Sequence, residues 1–441
     1  MKKKFIGFAV ALSVITLLSG CGGGKKSSGP IIINVKTPTL SFAQNKVVNI
    51  KDTYAMLQMV AEDFEKQHAK DNVKIKLVKF PYKDEDAFIT KTFDTPDATD
   101  VLMEGYFNMN SYIHTGRVVP LDDVLTAEQK ADLDAGAMQQ STINGKLYML
   151  PYFGHHNVLA INKNLFRQAG LDKYVVDDIY KVQSWTEAEW TEVLDTLAAK
   201  KPNGAFPYPM YAKNEQGDTH TMVLLRSRGC KFFDDKGNFN LNTPEGIATL
   251  KWLQDANKKG YFPAGCENLQ IGDSVQLGYS GKLALFIFNN SYNGKIKIED
   301  LSFVNFPGNN GKGLSSAFIS GFEVFDNKNP EKLKWSKEFV KFIYNSDKYM
   351  DYSMGAIPYS KKVIARHQEK LPEIKRFTDN QATLVDFTAN NPNWRGVRNV
   401  FWKPINALMD GRLTPAQAAA KIDADCNAAI AEGRKNSKLH E

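Results

Sequence analysis

The chain has 441 residues, 43% hydrophobic and 24% charged, a length for two or three domains and a composition that excludes collagen-like, disordered and disulfide-scaffold classes. Its net charge of +7, three units of it from Lys2, Lys3 and Lys4, leaves a weakly basic body with no Lys/Arg block, which argues against nucleic acid as a partner. Its single long apolar run stands at the amino terminus, which excludes a polytopic membrane protein.

Behind the basic head, the apolar stretch 5–18 is too short for a comfortable bilayer span. Leu18-Ser19-Gly20-Cys21 then resembles the lipobox of bacterial lipoproteins: small residues admit a peptidase, and the Cys21 thiol is the nucleophile at hand for a diacylglycerol. The alternative is an ordinary signal peptide with a chance cysteine. Two acyl chains, at about 0.8 kcal/mol per buried CH₂, anchor a protein stably. Residues 1–20 are thus expected to be a lipoprotein signal peptide. Residues 21–30, rich in Gly and Ser, are expected to form a lipid-anchored flexible tether. The folded body then begins near Ile31, on the extracytoplasmic face of a cell membrane (extracellular side or periplasm). Cys230, Cys266 and Cys426 remain, an odd number with no CxxC, so free buried thiols are expected, without a zinc site or a disulfide framework.

Along the body, Val47-Val48-Asn49-Ile50 is predicted as a strand, and Thr53 as the cap of a helix with Leu57, Val60, Ala61 and Phe64 inward. Val73, Ile75 and Leu77 alternate with lysines as a second strand does. That β-α-β opening implies a parallel pair and an α/β domain. Asn144-Gly145 between strand-like arms signals a hairpin, and residues 162–166 begin a short helix ending near Gly170. Thr186 and Glu189 form a capping box for a helix that buries Trp190, Val193, Leu194 and Leu197. Pro244 and Pro330 each open a helix, the latter running through Tyr344. The apolar run 283–288 is predicted as a buried strand. Thr414-Pro415-Ala416-Gln417 starts a last helix with Ala419, Ile422, Cys426 and Ala429 inward. No linker divides the body, which leaves one large domain or two lobes between which the chain crosses several times.

Several short motifs stand in one order: Ala61-Glu62-Asp63-Phe64-Glu65-Lys66, Asp100-Val101-Leu102, Gly116-Arg117-Val118-Val119-Pro120-Leu121, and Asn144-Gly145-Lys146-Leu147-Tyr148 with Pro151. Asn162-Lys163 with Leu165-Phe166, Ser184-Trp185-Thr186, Ser280-Gly281-Lys282-Leu283-Ala284 and Gly411-Arg412-Leu413-Thr414-Pro415 follow. In that order the chain resembles extracellular solute-binding proteins of ABC importers, specifically the family-1, maltose-binding-protein-like group for carbohydrates. Ile161 departs from a usual aromatic and Leu285 from a usual methionine. The resemblance implies an α/β, bilobal periplasmic-binding-protein fold (type II-like) with a ligand cleft and crossover strands. The N-lobe would hold residues 31–153 and 303–344, the C-lobe residues 154–302 and 345–441. It also implies a monomer that shuts on ligand by hinge bending and is recognised in its shut form by ABC importer permease subunits, with no cofactor and no catalysis.

A sugar site needs planar polar groups for hydroxyls and rings for the apolar faces. Four segments fit, at places the resemblance assigns to the cleft. The first is Lys51, Asp52 and Tyr54, where a helix cap is an equal reading. The second is Glu104, Tyr106, Phe107 and Asn108 beyond a strand's carboxyl end, or else a surface turn with one buried ring. The third is His155, where the maltose binders carry a ligand-binding acid. Its neighbour His156 would point to the opposite face of a strand, which disfavours a shared metal ion. A neutral His155 donating to a hydroxyl is preferred, with a packed hinge histidine as the alternative. The fourth is Asn289, Asn290, Ser291 and Tyr292, the best cleft loop in the chain, or else an Asn-rich turn. Trp394, flanked by Asn, Pro and Arg, is expected to be exposed and to stack on the ligand, and Trp402 to be core. Arg395 and Arg398 could pair with hydroxyls or an acidic sugar, against a solvated or structural role. His220 lies where second-lobe contacts are implied.

No GxSxG, HExxH, Walker A or Rossmann glycine motif occurs, and no carboxylate pair stands at a recognisable glycosidase spacing. The expectation is a binding protein for a carbohydrate, an oligosaccharide first. The alternatives are a lipid-anchored glycan-active enzyme, or a receptor for a polyamine, peptide or metal chelate.

Overall fold

The computed structural model describes residues 29–42, 48–81, 84–214, 217–290, 292, 294–308, 313–369, 372–380, 383–384 and 387–439. Residues 1–28, with the expected signal peptide, Cys21 and most of the expected tether, lie outside the described residues, as does Ser291.

The first strand, β1 (Ile31–Pro38), precedes the predicted one, and Val48–Ile50 is a turn with Asn49 at φ 52°. β1 escapes a pattern search because Asn34 and Lys36 interrupt its apolar run. Their polar ends are satisfied inside: Asn34 Nδ2 donates to Pro96 O and Ala98 O, and Lys36 Nζ to Thr92 Oγ1. Helix α1 (Thr53–Gln67) buries Met56, Leu57, Val60, Ala61 and Phe64. Its cap is Asp52 in place of Thr53: Asp52 Oδ1 accepts from Ala55 N at 2.8 Å. Thr53 Oγ1 instead turns back to donate to Pro38 O at 2.8 Å, tying the helix start to the end of β1. β2 (Val73–Phe80) pairs in parallel with β1 from Ile31↔Val73 to Pro38↔Phe80. It is an edge strand, and its exposed lysines 74, 76 and 79 discourage pairing with another chain.

Helix α2 (Glu85–Thr90) leads to β3 (Val101–Gly105), parallel to β1 through Val35↔Val101, and then to α3 (Met109–His114). β4 (Thr142–Ile143) and β5 (Lys146–Leu147) form the hairpin, with Asn144 at φ 50° and Gly145 at φ 74° as a type I′ turn requires. β6 (Leu150–Asn162), at 13 residues, is followed by α4 (Lys163–Gln168), β7 (Val182–Gln183) and α5 (Glu187–Lys200) with its capping box from Thr186 and Glu189. Next come α6 (Gly217–Arg226), α7 (Pro244–Lys258), β8 (Leu285–Asn289), β9 (Leu301–Val304) and β10 (Leu314–Val324). The chain continues through α8 (Pro330–Tyr344), β11 (Ile357–Pro358), α9 (Pro372–Thr378) and β12 (Thr383–Leu384). It ends in α10 (Trp394–Met409) and α11 (Pro415–Asn436).

The main sheet runs β2-β1-β3-β10-β6-β9-β7. Two long strands carry it from one half to the other. β10 ends against β3, from Ser320↔Gly105 to Val324↔Val101, while β6 ends against β8 and β9, with Leu159 opposite both Ile287 and Val304. Between those ends β6 and β10 pair with each other, from Ser316↔Asn157 to Ser320↔Phe153. The register shifts between Ser320 and Gly321, a local bend of the kind a bulge produces. A Cβ at Gly321 would run into Leu150 O, so the two strands approach closely there. This is a mixed α/β, bilobal architecture joined by crossover strands. Cys230, Cys266 and Cys426 are buried and free. Among the described residues no helix is long and apolar enough to cross a membrane.

Candidate ligand-binding site

β3 stops at Gly105, and Tyr106 N donates to Ile319 O, which turns Phe107 and Asn108 off the sheet edge and into α3. There the Phe107 ring meets Phe318 at 5.2 Å between centroids. Phe318 stands opposite His155 in the β6–β10 register. Asn290, just past β8, lies beside the His155 ring, close enough to favour its protonated form slightly. From α10, near the carboxyl end of the chain, the guanidinium of Arg398 sits 4.8 Å from the centre of the Phe107 ring, and the charge of Arg395 acts on Glu85. Phe107, Asn108, His155, Asn290, Arg395 and Arg398 are thereby gathered around the crossover strands.

His155 and His156 keep some surface but sit deep in the protein, and burial pushes both imidazoles down to about 4. Each is neutral at pH 7, so one ring nitrogen donates and the other accepts. Their neighbours differ as strand alternation demands: His155 meets Phe153 edge-on at 5.8 Å, and His156 meets Phe377 at 6.3 Å. Among the described residues no group of three or more His, Cys, Asp or Glu side chains is placed to hold a metal ion.

Glu104 lies elsewhere than expected. It is fully buried with Glu85 and Glu323, behind the loop that carries Phe107. Gly321 stands opposite Glu104 and Glu323 opposite Leu102, so both carboxyls emerge on one face of the sheet, with no side chain on Gly321 to separate them. Asn108 Nδ2 donates to Glu85 Oε1 at 2.5 Å. Burial raises all three carboxyls, and for Glu104 the adjacent charges of Glu85 and Glu323 add to the rise. Tyr106 is buried beside Phe107, 4.8 Å between ring centres. Glu104 and Tyr106 thus support the loop from behind.

Lys51 is exposed, Asp52 is spent on the α1 cap, and Tyr54 carries Lys79 Nζ over its ring at 4.9 Å. This segment reaches the crossover through Phe42, whose N donates to Lys51 O and whose ring meets Phe153 edge-on at 5.7 Å. Tyr292 is half-buried against Phe288 and donates to Ile296 O. With Asn289, Asn290, Arg376 and Phe377 it lines a cavity of about 200 Å³. His220 is 3% exposed. Its Nε2 donates to Pro209 O and its ring stacks on Tyr211 and Tyr208, so it packs an aromatic cluster.

The tryptophans reverse the expectation. Trp394 is 0% exposed and stacks on Phe239, whereas Trp402 is only half-buried. The polar neighbours that suggested exposure act as caps: Asn393 Oδ1 accepts from Gly396 N and its Nδ2 donates to Ala429 O. Because α10 begins at Trp394, helical phase sends Trp394, Val397, Phe401, Ile405 and Leu408 inward. Arg395, Arg398 and Trp402, spaced by three and four, share another face.

Sequence reasoning missed Phe318, Glu85 and Glu323. Phe318 follows a glycine-rich stretch of sequence, and its partner Phe107 is 211 positions away. Glu85 sits in the run Lys83-Asp84-Glu85-Asp86, which reads as a solvated face; nothing local marks it as buried.

The model of the bacterial extracellular solute-binding protein family matches residues 48–350. The diacetylchitobiose binding protein DasA of Streptomyces coelicolor is 24% identical, covering 98% of this chain and 100% of its own. Among solved structures, a putative oligosaccharide periplasmic-binding protein from Synechococcus sp. superposes with a TM-score of 0.72 at 14% identity, over 90% of this chain and 99% of that one. Maltose-bound T. maritima MalE3 superposes at 0.68 with 17% identity and the same coverage. At such identities the likeness speaks for the fold alone.

Proposed function

The chain belongs to the bacterial extracellular solute-binding protein family, and we propose that it captures a carbohydrate between its two halves and hands it, chemically unchanged, to the permease of an ABC importer. The carrying observation is the convergence at the crossover: the Phe107–Phe318 ring pair, the neutral His155 with Asn290, and Arg398 brought in from the other half. Rings for C–H faces and planar polar groups for hydroxyls are what a saccharide requires. DasA, whose name states a disaccharide ligand, and MalE3, solved with maltose, support the same class.

In this reading residues 31–153 and 303–344 form one lobe, 154–302 and the C-terminal elements the other, with β6 and β10 as the hinge. Residues 345–360 go with the first lobe, since Tyr349 Oη and Lys348 Nζ bind Asp63 on α1, and Tyr152 Oη donates to Tyr349 O. Lipid attached at Cys21 holds the monomer at the extracytoplasmic membrane face.

A thermal-shift screen over neutral and acidic glycans, polyamines and peptides tests the proposal, because ligand at 100 Kd raises stability by about 2.7 kcal/mol. A glycan that stabilises the protein and is recovered intact by mass spectrometry is the expected result. Stabilisation by a polyamine or peptide alone, or recovery of cleaved glycan, would overturn it.

A further inference from the structure

We infer that residues 437–439 are a clasp that grips α3 of the first half from the last helix of the second, and so biases the molecule toward its shut form. α11 is bound to the second half along its length. Asn427 exchanges hydrogen bonds with the Phe239 backbone at 2.8 and 2.9 Å, and Asp423 accepts from Leu241 N and Asn242 N at 2.7 and 2.8 Å. Just past its end the chain changes partner. Lys438 N donates to His114 O at 2.8 Å, and Ser437 Oγ lies 2.8 Å from His114 Nδ1. Lys438 also rests on Gly116, where a Cβ would stand 3.1 Å from Lys438 Cβ.

His114 and Gly116 close α3, which belongs to the first half: Val119 N donates to Val324 O and Asp326 N to Arg117 O. The opposite end of α3 is held too, since Asn110 Nδ2 donates to Thr388 Oγ1 at 3.2 Å in a buried bond. This one short helix directly follows Phe107 and Asn108. Chain from the second half therefore holds the element that carries the candidate ligand loop.

Hinge bending turns the halves about β6 and β10. The clasp lies off those strands, so opening pulls its two sides apart. Its bonds are made in this structure, where Arg398 of α10 also rests against Phe107, and are exchanged for water once the halves part, which makes them a differential contribution to that equilibrium. The inference rests on the two-lobed reading and is independent of the ligand's identity.

The test uses the full chain with spin labels on Lys70→Cys and Lys258→Cys, both exposed, in a Cys21→Ser background. Electron–electron resonance without ligand then reads the distances between halves. Ending the chain after Asn436 is expected to raise the open-to-shut ratio about tenfold, or about 1.4 kcal/mol. Ser437→Ala is expected to act in the same direction more weakly, with Ser437→Thr restoring the original ratio. Arg434→Ala removes bonds within the second half, to Asn238 and Lys236, and is expected to leave the distances unchanged. Unchanged distances in a shortened chain that melts cooperatively would overturn the clasp. If the shortened chain does not fold, unchanged distances in Ser437→Ala overturn it. Failure to find a carbohydrate ligand would leave either result standing.

Discussion

The guanidinium of Arg398 lies 4.8 Å from the centre of the Phe107 ring, joining the face of α10 that carries Arg395 and Trp402 to the loop that leaves β3. A cation over an aromatic ring is worth about 0.5–2 kcal/mol, more as water is excluded. In the proposed two-lobed reading its members belong to opposite halves, so the contact forms only when the halves are together. Arg398→Ala is expected to weaken binding of the glycan found by the screen by about 1–2 kcal/mol, read by calorimetry. Arg398→Lys is expected to recover only part of that, because an ammonium lacks the planar fork. Undiminished affinity in both variants would remove Arg398 from the site.

Glu85, Glu104 and Glu323 make stability depend on pH in a defined direction. Burial raises each carboxyl above its unfolded value, with Tyr112, Asp86 and Arg395 as the other charged or titratable groups acting on them. The folded state holds protons that the unfolded chain has released, so the contribution is full below pH about 4.5 and is lost as pH rises through the folded values. Glu104→Gln is expected to raise the melting temperature at pH 8 and to flatten the decline in stability that begins above pH about 4.5. A steeper decline in the variant would reverse the assignment.

The buried histidines act on the acid side. His155, His156 and His220 are each lowered from 6.5 to about 4. The folded state then binds fewer protons than the unfolded chain, and stability is lost as pH falls from about 6.5 toward 4. In that window this loss opposes the carboxyl effect, which is why the acids are best read above pH 7. His220→Gln, in the cluster with Tyr208, Tyr211 and Phe306, is expected to make urea midpoints at pH 5 and pH 7 converge by about 1–3 kcal/mol in unfolding free energy. An unchanged gap between the two midpoints would show that His220 does not titrate in this window.

Trp394→Ala is expected to act on folding. The indole is fully buried against Phe239 and Phe233, so its removal should cost about 3–5 kcal/mol by urea titration. Trp394→Phe should cost much less, with ligand affinity close to that of the unaltered protein. A tenfold loss of affinity in Trp394→Phe at unaltered stability would restore it as a ligand contact.

The local syntax of this chain was legible residue by residue. The capping box at Thr186 and Glu189, the Asn144-Gly145 hairpin, prolines at the starts of three helices and the apolar run 283–288 all form as their short-range chemistry demands. Motif order likewise identified the family, and strand alternation gave His155 and His156 different neighbours. What only the folded protein decided were properties set by distant partners. Asn34 and Lys36 sit inside a strand because residues 92–98 reach over to satisfy them. Glu104 became a buried acid where Glu323 arrives on the same face from far along the chain and Glu85 of α2 packs beside it. Trp394 turned inward and Arg398 outward because the start of α10, and hence its phase, is set by an Asn393 cap bonded to α11. Short-range rules act through a handful of bonds and can be read in a line of letters. Burial and charge are sums over everything within a few ångströms, and that neighbourhood exists only after the sheet has closed.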